Sequence, residues 1–144
     1  MTNYTAPILI LLLAASLRAA DPSTKPTPGS TTAPTFINVD AEEFQKLLTK
    51  KDIVLLDVRT PTEYTQGHLD GALNLNLHGR DFTDQIGQLD KEKTYLVYCA
   101  VGGRSAQACE KMSKLNFLKL YNLKGGIDAW IRVGKPVVQT PAQQ

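Results

Sequence analysis

Short, unbroken apolar runs alternate along this chain with segments of helical periodicity. That alternation restricts the fold more than any other feature. Ile53-Val54-Leu55-Leu56 carries no polar residue, and Thr94–Tyr98 is nearly as apolar. A strand that is apolar on both faces has to be covered on both, which is the condition of a parallel strand with helices on either side. Phe36–Val39, Ala72–Leu75 and Leu118–Leu123 read as further strands. Between them the spacing turns helical. Phe44, Leu47 and Leu48 follow a capping box of Asp40 and Glu43. Thr60 opens a short turn with Pro61 at a first helical position. Asp81–Leu89 packs through Phe82, Ile86 and Leu89; Ser105–Leu115 packs through Ala108, Cys109, Met112 and Leu115; Ile127–Ile131 is a last short helix. The pattern predicts a three-layer α/β/α fold with a central, mostly parallel sheet of about five strands. Ligands of such sheets sit outside the carboxyl ends of the strands.

One of those ends carries Cys99, in the run Val97-Tyr98-Cys99-Ala100-Val101-Gly102-Gly103-Arg104-Ser105. Successive backbone N–H groups in a strand–loop–helix turn converge on one point and stabilise negative charge there, which lowers a thiol's pKa and makes it a nucleophile. The alternative is a buried packing cysteine, the commoner role of a free thiol. The neighbours favour the reactive reading. Gly102 and Gly103 allow a tight loop and positive φ. Arg104 brings a cation close to the thiolate, and Ser105 is placed to cap the next helix. The second cysteine, Cys109, falls on the apolar face of that helix, so two free thiols are expected rather than a disulfide, and the spacing fits no metal site.

A chain of 144 residues is enough for one domain, and a formal charge of +2 makes no case for nucleic acid or an anionic membrane as a partner. Ala6–Leu17 is apolar and uncharged, too short for a confident membrane span, and is followed by Arg18-Ala19-Ala20. Residues 1–20 are therefore expected to be a signal peptide cleaved after Ala19 or Ala20, with export to a bacterial periplasm. The lack of Lys or Arg in Met1–Thr5 leaves an uncleaved anchor as the alternative. Residues 21–35, rich in Pro, Ser and Thr, read as a linker, 36–138 as the folded domain and 139–144 as a polar tail.

Four segments in order resemble the rhodanese homology domain, in its small, single-domain exported form. They are Leu56-Asp57-Val58-Arg59 with Glu63-Tyr64; Gly67-His68-Leu69-Asp70-Gly71-Ala72-Leu73-Asn74; Cys99–Ser105; and Leu123–Trp130. The resemblance spans Phe36 to Val138. It implies a sulfurtransferase of the thiosulfate:cyanide class, in which Cys99 takes the outer sulfur of a donor, holds it as a persulfide and passes it to cyanide or a thiol. Ala100, Val101, Gly102, Gly103 and Arg104 would form the substrate-binding loop, with no metal or organic cofactor. The partners implied are small sulfur-containing anions or thiols, with a protein sulfur acceptor as a further option, and the protein is expected to work as a monomer. The loop from Cys99 to Arg104 is one residue shorter than in related phosphatases and arsenate reductases, and suits a single sulfur atom. The chain departs from the best-known thiosulfate transferases in having Ala100 and Val101 where they carry cations. That puts thiosulfate in question as the physiological donor and opens the alternative of a protein or low-molecular-weight persulfide. An oxyanion-processing enzyme on the same fold and a non-catalytic binding module are the competing readings.

Asp57 and Arg59, at the end of the neighbouring strand, are expected to brace the active loop through a pair with each other or through loop carbonyls, together with Ser105. An ionised thiolate needs no base, so His68 reads as a turn-stabilising residue, and His78 as exposed. Gly125 and Gly126 are expected to allow a close backbone approach, Trp130 to pack in the core, and Lys111, Lys114, Lys119 and Lys124 to form a solvated face.

Overall fold

The apolar runs take the middle of one sheet. The computed structural model of the protein describes residues 35–140; the expected leader, the linker up to Pro34 and the last four residues of the tail lie outside them. In chain order the elements are β1 (Ile37–Val39), α1 (Ala41–Leu48), β2 (Ile53–Asp57), α2 (Pro61–Gln66), β3 (Leu73–Asn74), α3 (Phe82–Gly87), β4 (Thr94–Tyr98), α4 (Gly103–Lys114), β5 (Leu120–Leu123) and α5 (Gly126–Arg132). The sheet order is β1-β5-β4-β2-β3, and every strand pairing in it is parallel.

Alternation along the central strands sends successive side chains to opposite faces. Leu56 and Val97 pack with Phe82, Ile86, Ala108, Cys109 and Met112 of α3 and α4. Leu55, Leu96 and Tyr98 pack with Phe44, Leu47, Ile127 and Trp130 of α1 and α5. Full burial of each large apolar side chain contributes about 1.5–3 kcal/mol before the entropy of ordering it is counted. Because β4 lies between β2 and β5, Cys99 leaves the sheet at the middle of its carboxyl edge, with Asp57 of β2 level with Tyr98.

Several boundaries differ from the sequence expectations. Asn116, at φ 68°, turns the chain out of α4, so Leu118 is still in the connection, 82% exposed, and β5 begins only at Leu120. The edge strand β3 pairs with β2 alone and keeps two residues. At α1 the Asp40 carboxylate accepts from the Glu43 amide at 2.9 Å, but the Glu43 side chain turns to Lys46 at 3.6 Å. The complete capping box is at α2 instead, between Thr60 and Glu63. Helix α4 begins at Gly103, with Gly102 as its cap, so Ser105 lies inside the first turn rather than capping it.

Candidate active site

Tyr98 ends β4, and the chain must reverse from strand to helix within four residues. Gly102 makes that reversal at φ 96°, a conformation that favours glycine. A Cβ there would also sit 3.1 Å from both Gly125 N and Leu123 O. The reversal aims backbone N–H groups inward: Gly102 N donates to Cys99 Sγ at 3.1 Å. Ser105 Oγ lies 3.4 Å from Sγ and 3.1 Å from Gly102 O, and its single proton can serve either. Gly102 O also accepts from Asn122 Nδ2 at 3.2 Å and Ala106 N at 3.2 Å. The hydroxyl can therefore turn to a thiolate without leaving that carbonyl unpaired. Burial pushes the Cys99 thiol up, but the Ser105 hydroxyl and the amides of Ser105, Gly102 and Val101 outweigh it, and the net is a thiol held below its ordinary range. Cys109 is buried on α4 with only its own backbone amide to offset the burial, and is pushed up to about 12. The two thiols thus differ by environment alone.

The loop is held from behind by the start of α5. Ile127 N donates to Cys99 O at 2.8 Å and Asp128 N to Ala100 O at 3.1 Å. These bonds turn the loop carbonyls away from Sγ. The approach is close enough that a Cβ on Gly126 would lie 2.2 Å from Ala100 O.

Arg104 does not reach freely toward the thiolate. Its Nη1 and Nη2 donate to Glu63 Oε2 and Oε1 at 2.9 and 2.6 Å, a bidentate pair joining α4 to α2. The Glu63 carboxylate also accepts from Thr60 N and Thr60 Oγ1. The Arg104 hydrogen bonds outweigh the cost of burial and, with the two Thr60 donors added, hold the Glu63 carboxyl well below its ordinary range, down to about 2. Glu63 is a candidate-site residue to which sequence reasoning gave no role. The Thr60-x-x-Glu63 spacing could have marked its bond to the cap of α2, but nothing local signals a partner 41 residues away.

Asp57 and Arg59 pair with each other, with side-chain exposures of 0% and 7%. Arg59 Nη2 donates to Asp57 Oδ2 at 2.6 Å and to Gly67 O at 2.7 Å. The pair fastens the end of β2 to the Gly67 turn rather than to a carbonyl of the active loop. Asn122, also missed, reaches the loop directly through Gly102 O and is steadied by Asn38 Oδ1 at 2.7 Å. His68 is buried, stacks on Tyr64 with ring centroids 3.7 Å apart and hydrogen-bonds Tyr64 O through Nδ1 at 2.9 Å. His78 is exposed, and Trp130 is buried with its indole N–H donating to Pro136 O at 2.8 Å. Ala100 is half-buried and Gly103 exposed, while Val101 is 67% exposed at the rim. Among the described residues no group of three or more His, Cys, Asp or Glu could hold a metal ion. A cavity of about 340 Å³ lined by Asn38, Val101, Gly102, Asn122 and Lys124 flanks the loop on the β5 side. Another of about 220 Å³ lies between α2 and α5, lined by Arg59, Glu63, Gly67, Asp128, Ile131 and Val137.

The profile of the rhodanese-like domain matches residues 40–132, from the cap of α1 to the last residue of α5. The chain belongs to the rhodanese family. Its curated rhodanese relatives include a sulfurtransferase from Allochromatium vinosum, 37% identical over 101 residues, covering 69% of this chain and 92% of the relative. They also include the thiosulfate sulfurtransferase GlpE of Shewanella oneidensis, 30% identical over 95 residues, covering 66% of this chain and 92% of the relative. Among solved structures, the rhodanese-related protein of Thermoplasma volcanium superimposes with a TM-score of 0.64 at 32% identity, covering 72% of this chain and 99% of the other. The polysulfide-sulfur transferase of Wolinella succinogenes does so with a TM-score of 0.63 at 27% identity, covering 76% and 82%.

Proposed function

We propose that this rhodanese is a sulfurtransferase that carries sulfane sulfur as a persulfide on Cys99. The observation that carries the reading is the convergence of the Gly102 amide and the Ser105 hydroxyl on a buried sulfur whose thiol is held below its ordinary range. In the first half-reaction the Cys99 thiolate attacks the outer sulfur of a donor. The donor's S–S bond breaks, its electron pair leaves with the departing group, and Cys99 becomes a persulfide anion. In the second, cyanide or a thiol attacks the terminal sulfur and the Cys99 thiolate is the leaving group. The loop amides stabilise the anion in both steps. Two half-reactions through a covalent intermediate give ping-pong kinetics. Relatives named as sulfurtransferases support the class.

Oxyanion chemistry is disfavoured by Arg104. A guanidinium that grips a tetrahedral phosphate or arsenate does so through a bidentate face and an uncompensated charge, and the charge of Arg104 and one N–H on each of its Nη atoms are engaged by the Glu63 carboxylate. The apolar run Ala6–Leu17 supports export and a periplasmic location. The test is thiocyanate formation from a sulfane donor and cyanide. Parallel double-reciprocal lines that vanish in Cys99→Ser support the proposal. Turnover that persists in Cys99→Ser, or a phosphatase activity that vanishes with it, refutes the proposal.

A further inference from the structure

The charges around the loop are already matched before any substrate arrives. Of the two guanidiniums near it, Arg59 is held by Asp57 and Gly67 O, and Arg104 by both oxygens of Glu63. Asp128 adds a third carboxylate on the same side, where α5 meets Ala100. Asp57 and Glu63 are each paired with a guanidinium, Asp128 has no salt-bridge partner among the described residues, and the Cys99 thiolate adds a further negative charge. Lys124 lies across the loop in the other cavity, exposed, with no carboxylate within salt-bridge distance among the described residues. The exposed side chains at the rim include apolar ones: Val101 at 67%, Ile131 at 50% and Val137 at 38%.

Resting on the sulfurtransferase reading above, we infer that Glu63 sets substrate charge: by occupying Arg104 it turns the site away from dianionic donors and toward sulfane donors with one negative charge and a carbon substituent. Thiosulfonates and organic persulfides are that class, whereas thiosulfate is a dianion. For a thiosulfonate, the Cys99 thiolate attacks the outer sulfur, the bond between the two donor sulfurs breaks, and the pair leaves on a sulfinate. One thiolate and one thiosulfonate give one persulfide anion and one sulfinate, with no oxidant or reductant required. A carbon group can rest on Ile131 and Val137, which line the same cavity as Glu63 and Asp128, while a second negative charge there would face those carboxylates with both guanidiniums already charge-paired.

The test compares methanethiosulfonate with thiosulfate, cyanide being the acceptor in both cases. Glu63→Gln frees Arg104 while an amide oxygen can still accept from Thr60. A charge a few ångströms away in a solvent-screened site changes binding by about fivefold. The KM for thiosulfate should therefore fall about fivefold more than the KM for methanethiosulfonate. Arg104→Gln leaves Glu63 unpaired and should move that ratio the opposite way, which keeps the question answerable if one variant folds poorly. Equal changes for both donors in both variants would make the pair a structural brace only and overturn the inference. So would a ratio that is fixed in both but collapses in Lys124→Gln. Failure of methanethiosulfonate, thiosulfate and an organic persulfide alike to place sulfur on wild-type Cys99 would instead refute the sulfurtransferase reading beneath it.

Discussion

Gly126 is where the start of α5 presses on the active loop, so Gly126→Ala probes whether that contact shapes the amide cradle. An alanine Cβ would lie 2.2 Å from Ala100 O and 2.4 Å from both Ala100 C and Cys99 O. These are backbone atoms and cannot rotate aside. The φ of 60° adds the left-handed cost of about 1–2 kcal/mol for a residue with a Cβ. Relief requires α5 to back away, which breaks Ile127 N to Cys99 O and Asp128 N to Ala100 O, at about 1 kcal/mol each. Together these give about 3–4 kcal/mol, a large share of the 5–15 kcal/mol typical of a domain. Urea unfolding followed by the fluorescence of Trp130, the single tryptophan of the chain and a buried residue of the same helix, measures it. Gly134→Ala is the control. Gly134 has φ 76° but nothing within 4 Å of its Cβ position, so it should cost about 1 kcal/mol, the strain alone. The folded fraction of Gly126→Ala should also lose most of its sulfur-transfer rate, because the carbonyls that turn away from Sγ are displaced. Equal costs for the two variants, or full activity in Gly126→Ala, would refute the role given to this contact.

Three further outcomes are expected. Asp57→Asn leaves Arg59 buried without its counter-charge and should destabilise the domain by about 3–5 kcal/mol in urea. In Ser105→Ala the pH profile of Cys99 alkylation by iodoacetamide should shift to higher pH, because the largest of the groups stabilising the thiolate is gone, while Cys109 stays unmodified in the folded protein. Because the folded pKa of Glu63 is depressed to about 2, its pairing stabilises the fold fully above the ordinary carboxylate range. That contribution is lost as pH falls toward 2, so the stability gap between wild type and Glu63→Gln should close over the interval from about pH 5 to 2.

The central sheet was legible because its strands are apolar on both faces: β4 was placed at Thr94–Tyr98, as observed, and β2 at its first four residues. Cys99 and its loop followed, since a strand end, a glycine pair and a helical pattern are all local signals. Edges were less legible. Leu118 is apolar, and only the turn at Asn116 shows that it precedes the strand. The least legible feature was the fate of Arg104. A guanidinium beside a cysteine reads as thiolate support until Glu63, 41 residues earlier, is brought against it by α2. Asn122 was hidden for the same reason, a polar residue in an apolar strand whose partner Gly102 O is fixed only by the fold.

The most direct measurement is the intact mass of the protein after treatment with methanethiosulfonate. Wild type should gain one sulfur atom, localised to Cys99 and removed by cyanide with release of thiocyanate, and Cys99→Ser should gain none. A mass that stays unchanged with this donor, thiosulfate and an organic persulfide alike, or an adduct that maps to Cys109, would contradict the persulfide mechanism.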